Sequence, residues 1–189
     1  MVSLKKNTIR SNGEEIEMSN VWFTSDWHLG HRNVLNFADN FRSKVLEVST
    51  IQEHDEFIWY QVLNTVVKRD ILYVLGDNGC PDQTYELMKA CQAMQIRYLP
   101  GNHDRDTGIA RLAELPRVTI WPPATYKNHW ITHCPMHPRE LWSRKCIHGH
   151  VHSDSVPDEN YINVSVEAVG KPILVNFNDI KTGAYTTHE

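Results

Sequence analysis

Val21-Trp22-Phe23-Thr24-Ser25-Asp26-Trp27-His28 sets how the rest of this chain is read. Its first four residues are apolar or β-branched and make a compact strand that ends directly on Ser25-Asp26. Two later segments repeat the form. Residues 71–75 are an apolar run bounded by Asp70 and Gly76, which predicts a buried strand delivering Asp77. Residues 96–99 predict another, stopped by Pro100-Gly101 just ahead of Asn102. Between them the apolar period lengthens. Residues 50–67 read as a helix capped by Thr50 with Glu53 three positions on, and with Ile58, Val62 and Val66 on one face. A second helix is expected over residues 83–94, with Leu87, Cys91 and Met94 turned inward. The later half reads mostly as strands, at residues 118–121, 129–132, 145–147, 161–166 and 173–177. An early half alternating strand and helix followed by a strand-rich half predicts a layered, mixed α/β core. Asp26, Asp77 and Asn102 each follow a strand end by one to three residues. Functional groups of open α/β sheets collect at the carboxyl ends of the strands, so these three can meet despite their separation in sequence.

Composition fits one domain over residues 1–189, with a polar lead-in at 1–20 that holds at most a short strand near Ile9 or Ile16. Hydrophobic residues are 41% and charged residues 22%, as in ordinary globular chains. A formal net charge of -4 carries no general attraction for nucleic acid, and the small basic clusters Lys5-Lys6 and Arg42/Lys44 read as solvated surface. The four cysteines, Cys80, Cys91, Cys134 and Cys146, form no CxxC pair. With no apolar leader and no stretch long enough to span a bilayer, they read as free thiols of a soluble, cytoplasmic protein. Histidine is the outlier, eleven in 189 residues and crowded between His103 and His152.

Those histidines sit among oxygen donors in five short segments: Asp26-Trp27-His28, Gly76-Asp77, Gly101-Asn102-His103-Asp104, His133, and Gly149-His150-Val151-His152. On extended backbone, residues two apart point the same way, so Asp26 and His28 can reach one ion; His150 and His152 have the same spacing after the strand at 145–147. DxH, HxH and GD are each weak signals; GNHD is stronger, because an Asn carbonyl beside a free His is an unusual local demand. Together they describe hard oxygen and imidazole donors for a pair of hydrolytic divalent ions. A competing structural zinc site from Cys134, His137, Cys146 and His148 has the wrong spacing. Cys134 is expected to pack under His133, and Cys146 to be a small buried strand residue.

The ordered set resembles the calcineurin-like metallophosphoesterase superfamily, whose pattern is DxH, GD, GNH(D/E), H and GHxH, over nearly the whole chain from Val21. Ser25-Asp26-Trp27-His28-Leu29-Gly30-His31-Arg32-Asn33 further resembles small single-domain members from bacteria and bacteriophages. Asn163-Val164-Ser165-Val166-Glu167 followed by Lys171-Pro172 looks like the closing segment of that subgroup. The resemblance implies a four-layer αββα sandwich of two mixed sheets flanked by helices. It implies that Asp26, His28 and His152 hold a first ion, that Asn102, His133 and His150 hold a second, and that Asp77 bridges them. His103 is left unligated as the general acid, and His31 becomes a phosphate or leaving-group contact, with a structural turn as its competing role. Asp104 is expected to orient His103, or else to cap a turn. Asn78-Gly79-Cys80 departs from relatives that carry an acidic or apolar residue after GD.

The implied chemistry is hydrolysis of a phosphodiester, in preference to a phosphomonoester, by a hydroxide bridging two cations. The donor types favour Mn²⁺, with Fe, Ni or Zn as alternatives. A small, nucleotide-like substrate is expected, with Trp27 or Trp142 able to stack on a base or, alternatively, to pack the core. Residues 30–45 and 134–144 are expected to shape its pocket as loops. A nuclease acting on long nucleic acid fits the charge poorly. A non-catalytic scaffold is disfavoured because Asp77, Asn102 and His103 are all retained.

Overall fold

The predicted strands and helices form in a computed structural model of the protein that describes residues 8–11, 14–17, 19–37 and 40–185. Lys5-Lys6 lies outside these. In chain order the strands are β1 (Thr8–Ser11), β2 (Glu14–Glu17), β3 (Val21–Thr24), β4 (Ile71–Val74), β5 (Gln95–Tyr98), β6 (Val118–Ile120), β7 (Ala124–Tyr126), β8 (His129–Ile131), β9 (Lys145–His148), β10 (Tyr161–Asn163) and β11 (Val175–Asn176). The helices are α1 (Phe41–Leu46), α2 (Ile51–Thr65), α3 (Pro81–Ala90), α4 (Asp106–Leu112), α5 (Val166–Val169) and α6 (Phe177–Thr182), with 3-10 turns at Arg32–Asn36 and Pro138–Glu140. Within the lead-in, β1 and β2 pair as an antiparallel hairpin.

Two mixed sheets follow. The larger has the order β11-β3-β4-β5-β6, with β3 to β6 parallel and β11 antiparallel at the edge. The smaller has the order β10-β9-β8-β7, with β7 as its antiparallel member. Side-chain alternation divides the interior into two cores. Trp22, Leu72, Val74, Ile96 and Tyr98 pack on the helical side with Ile58, Val62, Leu87 and Met88. Phe23, Tyr73, Leu75 and Leu99 point the other way, against Ile131, Ile147 and Ile162 of the smaller sheet. The sheets therefore stack face to face with helices flanking them, the metallo-dependent phosphatase arrangement. On the outward side of the smaller sheet, Trp130 donates to the Leu141 carbonyl and Tyr161 to the Met136 carbonyl, which pins the segment carrying the second 3-10 turn across it.

Helix α2 starts with the expected capping box: Thr50 Oγ1 accepts from the Glu53 N–H, and the Glu53 carboxylate accepts from the Thr50 N–H. Several boundaries differ from expectation. Helix α3 begins earlier, because Pro81 suits a first helical turn, and stops at Ala90. The backbone turns extended at Cys91, which stays buried. Met94 gives its N–H to the Asp70 carbonyl and ends 51% exposed rather than inward. The strand expected over 161–166 ends at Asn163, whose Oδ1 accepts from the Ser165 N–H as the chain turns into α5. That expected over 173–177 gives way to α6 at Phe177, capped by Asn176. Residues 30–45 are not a plain loop, since they carry the first 3-10 turn and α1. Among the described residues no helix is long and apolar enough to cross a membrane.

Candidate metal centre

The turns after β3, β4, β5, β8 and β9 bring the predicted donors together at one end of the two sheets. Asp26, His28 and His152 place a donor atom each within 4.8 Å of one another, as do Asp26, Asp77 and His133. His133 Nε2 lies 3.0 Å from Asn102 Oδ1 and 3.3 Å from Asp77 Oδ2, and its ring is 5.0 Å from that of His150. All seven predicted ligands thus occupy one site, with Asp26 and Asp77 at its middle.

Backbone shape explains the tight approach. Asp26, His28, Asp77, His150 and His152 all have positive φ, between 50° and 72°. Five non-glycine residues in the left-handed region cost on the order of 1 kcal/mol each, a kind of strain that gathers at functional sites. The compensation is local. The Asp26 and His28 N–H groups donate to the Gly76 and Asp77 carbonyls, and the His150 N–H and Ser165 Oγ both donate to Asp26 Oδ2 at 2.9 Å. Glycines supply the remaining room: a Cβ on Gly101 would stand 2.2 Å from Asp77 Oδ1. A Cβ on Gly149 would meet Ser25 Oγ at 2.0 Å and Asp26 Oδ2 at 2.4 Å. Gly149→Ala should therefore cost about 1–3 kcal/mol as an overpacked position and weaken metal uptake. Urea denaturation and a metal titration check this; wild-type behaviour in both would mean that the cradle has slack.

The residues fit a pair of divalent cations. Asp26 Oδ1 and His28 Nε2 are buried atoms without a hydrogen-bond partner, as expected of donors reserved for an ion. Two histidines have their other nitrogen fixed. His133 Nδ1 lies 2.6 Å from the Leu75 carbonyl and must donate to it, and His152 Nδ1 donates to Glu167 Oε1 at 3.0 Å. Both thereby leave Nε2 free to ligate. Burial pushes the Asp26 carboxyl up and is the main influence on it, while it drives the His28 imidazole down to about 3. For His133, burial is outweighed by Asp77 and Asp26, which raise it. Asp77 is held low because the His133 hydrogen bond and the His103 N–H outweigh its own burial.

Beneath the ligands lies a buried clamp that the sequence did not disclose. Arg42, read there as solvated surface, is 1% exposed. Its guanidinium donates to the Asp26 carbonyl at 2.7 Å, to the Trp27 carbonyl at 3.0 Å and to Glu167 Oε1 at 2.7 Å. Glu167 in turn receives His152. His54 faces Arg42 at 3.3 Å and sits 2.9 Å from Asp55, whose carboxylate accepts from the Gly30 N–H. Glu167 stood inside the recognised closing segment, so its position was visible though its role was not.

Other expectations sort differently. Asp104 does not engage the His103 ring; its carboxylate accepts from the Asp77, Asn78 and Gly101 N–H groups, tying two ligand turns together as the turn cap. Trp27 is fully buried, with Nε1 on Thr24 Oγ1, and packs the core, while Trp142 is 73% exposed. Cys146 is buried in β9 as expected. Cys134, expected to pack under His133, is exposed. No donor group among the described residues joins Cys134 and His137 to Cys146 and His148.

Two clefts open from the centre. One, of about 580 Å³, is lined by His28, His31, Phe37, His103, Arg105 and His152. His103 and His31 are both exposed there, their rings each 5.8 Å from that of His28. The other, of about 710 Å³, runs from Asn102, His133 and Cys134 along Trp121, Pro122 and Met136.

The family model described as calcineurin-like phosphoesterase matches residues 19–179. The chain belongs to the calcineurin-like phosphoesterase family. Among similar proteins, the uncharacterized protein MJ1445 of Methanocaldococcus jannaschii is 26% identical over 173 residues, which are 85% of this chain and 90% of that protein. The gene 66 protein of Mycobacterium phage L5 is 36% identical over 63 residues, covering 32% of this chain and 26% of the phage protein. The crystal structure of AQ665, a protein of unknown function from Aquifex aeolicus, superposes with a TM-score of 0.65 at 22% identity, over 87% of this chain and 99% of the other. That likeness bears on the fold alone. As a calcineurin-like phosphoesterase, the chain is a metal-dependent enzyme of phosphate esters, and its candidate ligand groups lie where the sheets end.

Proposed function

We propose that this phosphoesterase is a dinuclear hydrolase of small organic phosphodiesters, with phosphomonoesters as poorer substrates. The observation that carries the reading is that seven donors converge around Asp26 and Asp77 while His103 stays outside every donor group, exposed in the adjoining cleft. Asp26, His28 and His152 would hold one ion and Asn102, His133 and His150 the other, with Asp77 between them. When bound, such a pair neutralises phosphoryl charge and activates water near neutral pH. The chain's own residues do the rest. His133 and His152 are held in one tautomer, Asp104 fixes the turns that present Asp77 and Asn102, and His103 delivers a proton to the departing oxygen as general acid. His31 and Arg105 line the same cleft and suit the phosphoryl oxygens. The first donor set, all oxygen and nitrogen, suits Mn²⁺ or Fe²⁺. The four free cysteines fit a reducing, cytoplasmic setting.

The second cleft supports a substrate with an apolar or aromatic ester group, since it starts at two ligands and continues along Trp121 and prolines. Trp121 takes the stacking role that Trp27, being core, cannot. Chelator-stripped protein resupplied with Mn²⁺ should hydrolyse bis-p-nitrophenyl phosphate faster than p-nitrophenyl phosphate. Trp121→Ala should raise KM for aryl diesters about tenfold, on the order of one lost aromatic contact, with kcat nearly unchanged. Preference for the monoester would overturn the diester assignment, and an unaltered KM would remove the organic group from this cleft.

A further inference from the structure

We propose that Cys134 contributes a thiolate to the second metal position, adding sulfur to its oxygen and nitrogen donors and making it unlike the first. The inference rests on the dinuclear reading above. His133, Cys134 and His150 each offer a donor atom, all within 4.8 Å of one another, as Asp26, His28 and His152 do. The backbone holds this arrangement in place. Thr132 Oγ1 donates to the Cys134 carbonyl at 2.6 Å, and His133 Nδ1 is anchored on the Leu75 carbonyl, so each of the two neighbours has its own anchor. A second observation points the same way: Cys134 lines the Trp121 cleft together with His133 and Asn102, two residues that would hold the second ion.

Other uses for this sulfur find no support. Cys146 is buried, with its own sulfur 3.4 Å from Thr132 Oγ1, and all four cysteines are free. Cys80 lines the opposite cleft and belongs to none of the three donor groups.

A thiolate changes which ion is preferred. Soft sulfur favours Zn²⁺, Co²⁺ and Fe²⁺ over Mn²⁺, whereas carboxylate and imidazole alone discriminate less in that direction. The two positions therefore differ, and the expectation of Mn²⁺ throughout applies only to the first. Binding releases the thiol proton to solvent, so the metal–sulfur bond forms without any redox partner.

Cobalt reports this directly. Chelator-stripped protein loaded with two equivalents of Co²⁺ should show a near-ultraviolet sulfur-to-cobalt charge-transfer band. Cys134→Ser should abolish the band while keeping the visible ligand-field bands, and Cys80→Ser should keep both. Losing a direct ligand should cost at least the roughly 10–100-fold in metal affinity seen when a group merely supporting a ligand is lost. The Zn²⁺ to Mn²⁺ affinity ratio should therefore fall by about tenfold or more in Cys134→Ser. Two bound Co²⁺ ions without a sulfur band would overturn the proposal, as would an unchanged affinity ratio. Protein that binds no metal would overturn it together with the dinuclear reading. Failure to hydrolyse any ester with both ions bound would count against the proposed activity alone.

Discussion

Arg42→Ala should destabilise the fold by about 3–5 kcal/mol, the range for removing one partner of a buried ion pair. At roughly 2–4 °C per kcal/mol for a chain of this size, thermal unfolding should begin on the order of 10 °C lower. The guanidinium is 1% exposed and serves three acceptors at once. Asp26 and His28, on either side of Trp27, adopt φ 59° and 50° in the turn after β3, and Arg42 satisfies the Asp26 and Trp27 carbonyls there. Removing it leaves these carbonyls without their donor and the buried Glu167 carboxylate with His152 in place of a full countercharge, and loosens the turn that presents Asp26 and His28. Arg42→Lys should recover only part of the loss, because an ammonium cannot reproduce the fork.

The carboxylate side of the clamp predicts an acid dependence. Burial pushes the Glu167 carboxyl up, but the Arg42 charge and the His152 hydrogen bond together outweigh burial and hold it well below the usual range. A depressed carboxyl stabilises the fold above its ordinary value of 4.5 and loses that contribution as pH falls below it. Glu167→Gln should therefore flatten the acid limb of the stability curve, and Arg42→Ala in that background should cost less than in the wild type. Additive costs across this double-mutant cycle would show that the two residues do not act as a unit.

How much of this could be read beforehand follows from what each feature demands of the sequence. The donors were legible because Asp26, Asp77 and Asn102 follow closely on three strands, and because short apolar runs bounded by turn residues mark where those strands stop. The alternation of strands and helices made a layered α/β core legible, while the αββα order came from the family resemblance that the motif order carries. Arg42 was not, since a charged residue near Lys44 reads as surface unless one knows that the Trp27 and Asp26 carbonyls, in a turn with left-handed residues, need a donor 15 and 16 residues away. Cys134 was misread as packing because nothing local reveals that the turn after β8 faces it outward beside His133 and His150. Asp104 went to the backbone rather than to His103 for a reason of arrangement: the Asp77, Asn78 and Gly101 N–H groups converge on its carboxylate, and that convergence exists only in three dimensions.

His103→Ala should lower turnover of an alkyl diester by about 10²–10⁴-fold, the contribution of a well-placed general acid. In barrier terms this is roughly 3–5 kcal/mol. The size of the effect depends on the leaving group. An alkoxide needs a proton as the bond breaks, whereas p-nitrophenolate leaves without one, so the defect should shrink sharply on activated aryl esters. Metal content should stay at the wild-type level, because the ring belongs to no donor group; only the His103 backbone N–H serves the centre, donating to Asp77 Oδ1 at 2.8 Å, and alanine keeps it. Asp77→Ala provides the contrast, losing a carboxylate placed next to His133 and among three buried donors, and with it both metal and activity. A His103→Ala protein with two ions bound and near-normal turnover of the alkyl diester would remove the general-acid assignment. Under that outcome the proton would have to come from elsewhere in the cleft, where His31 is the other exposed imidazole beside His28.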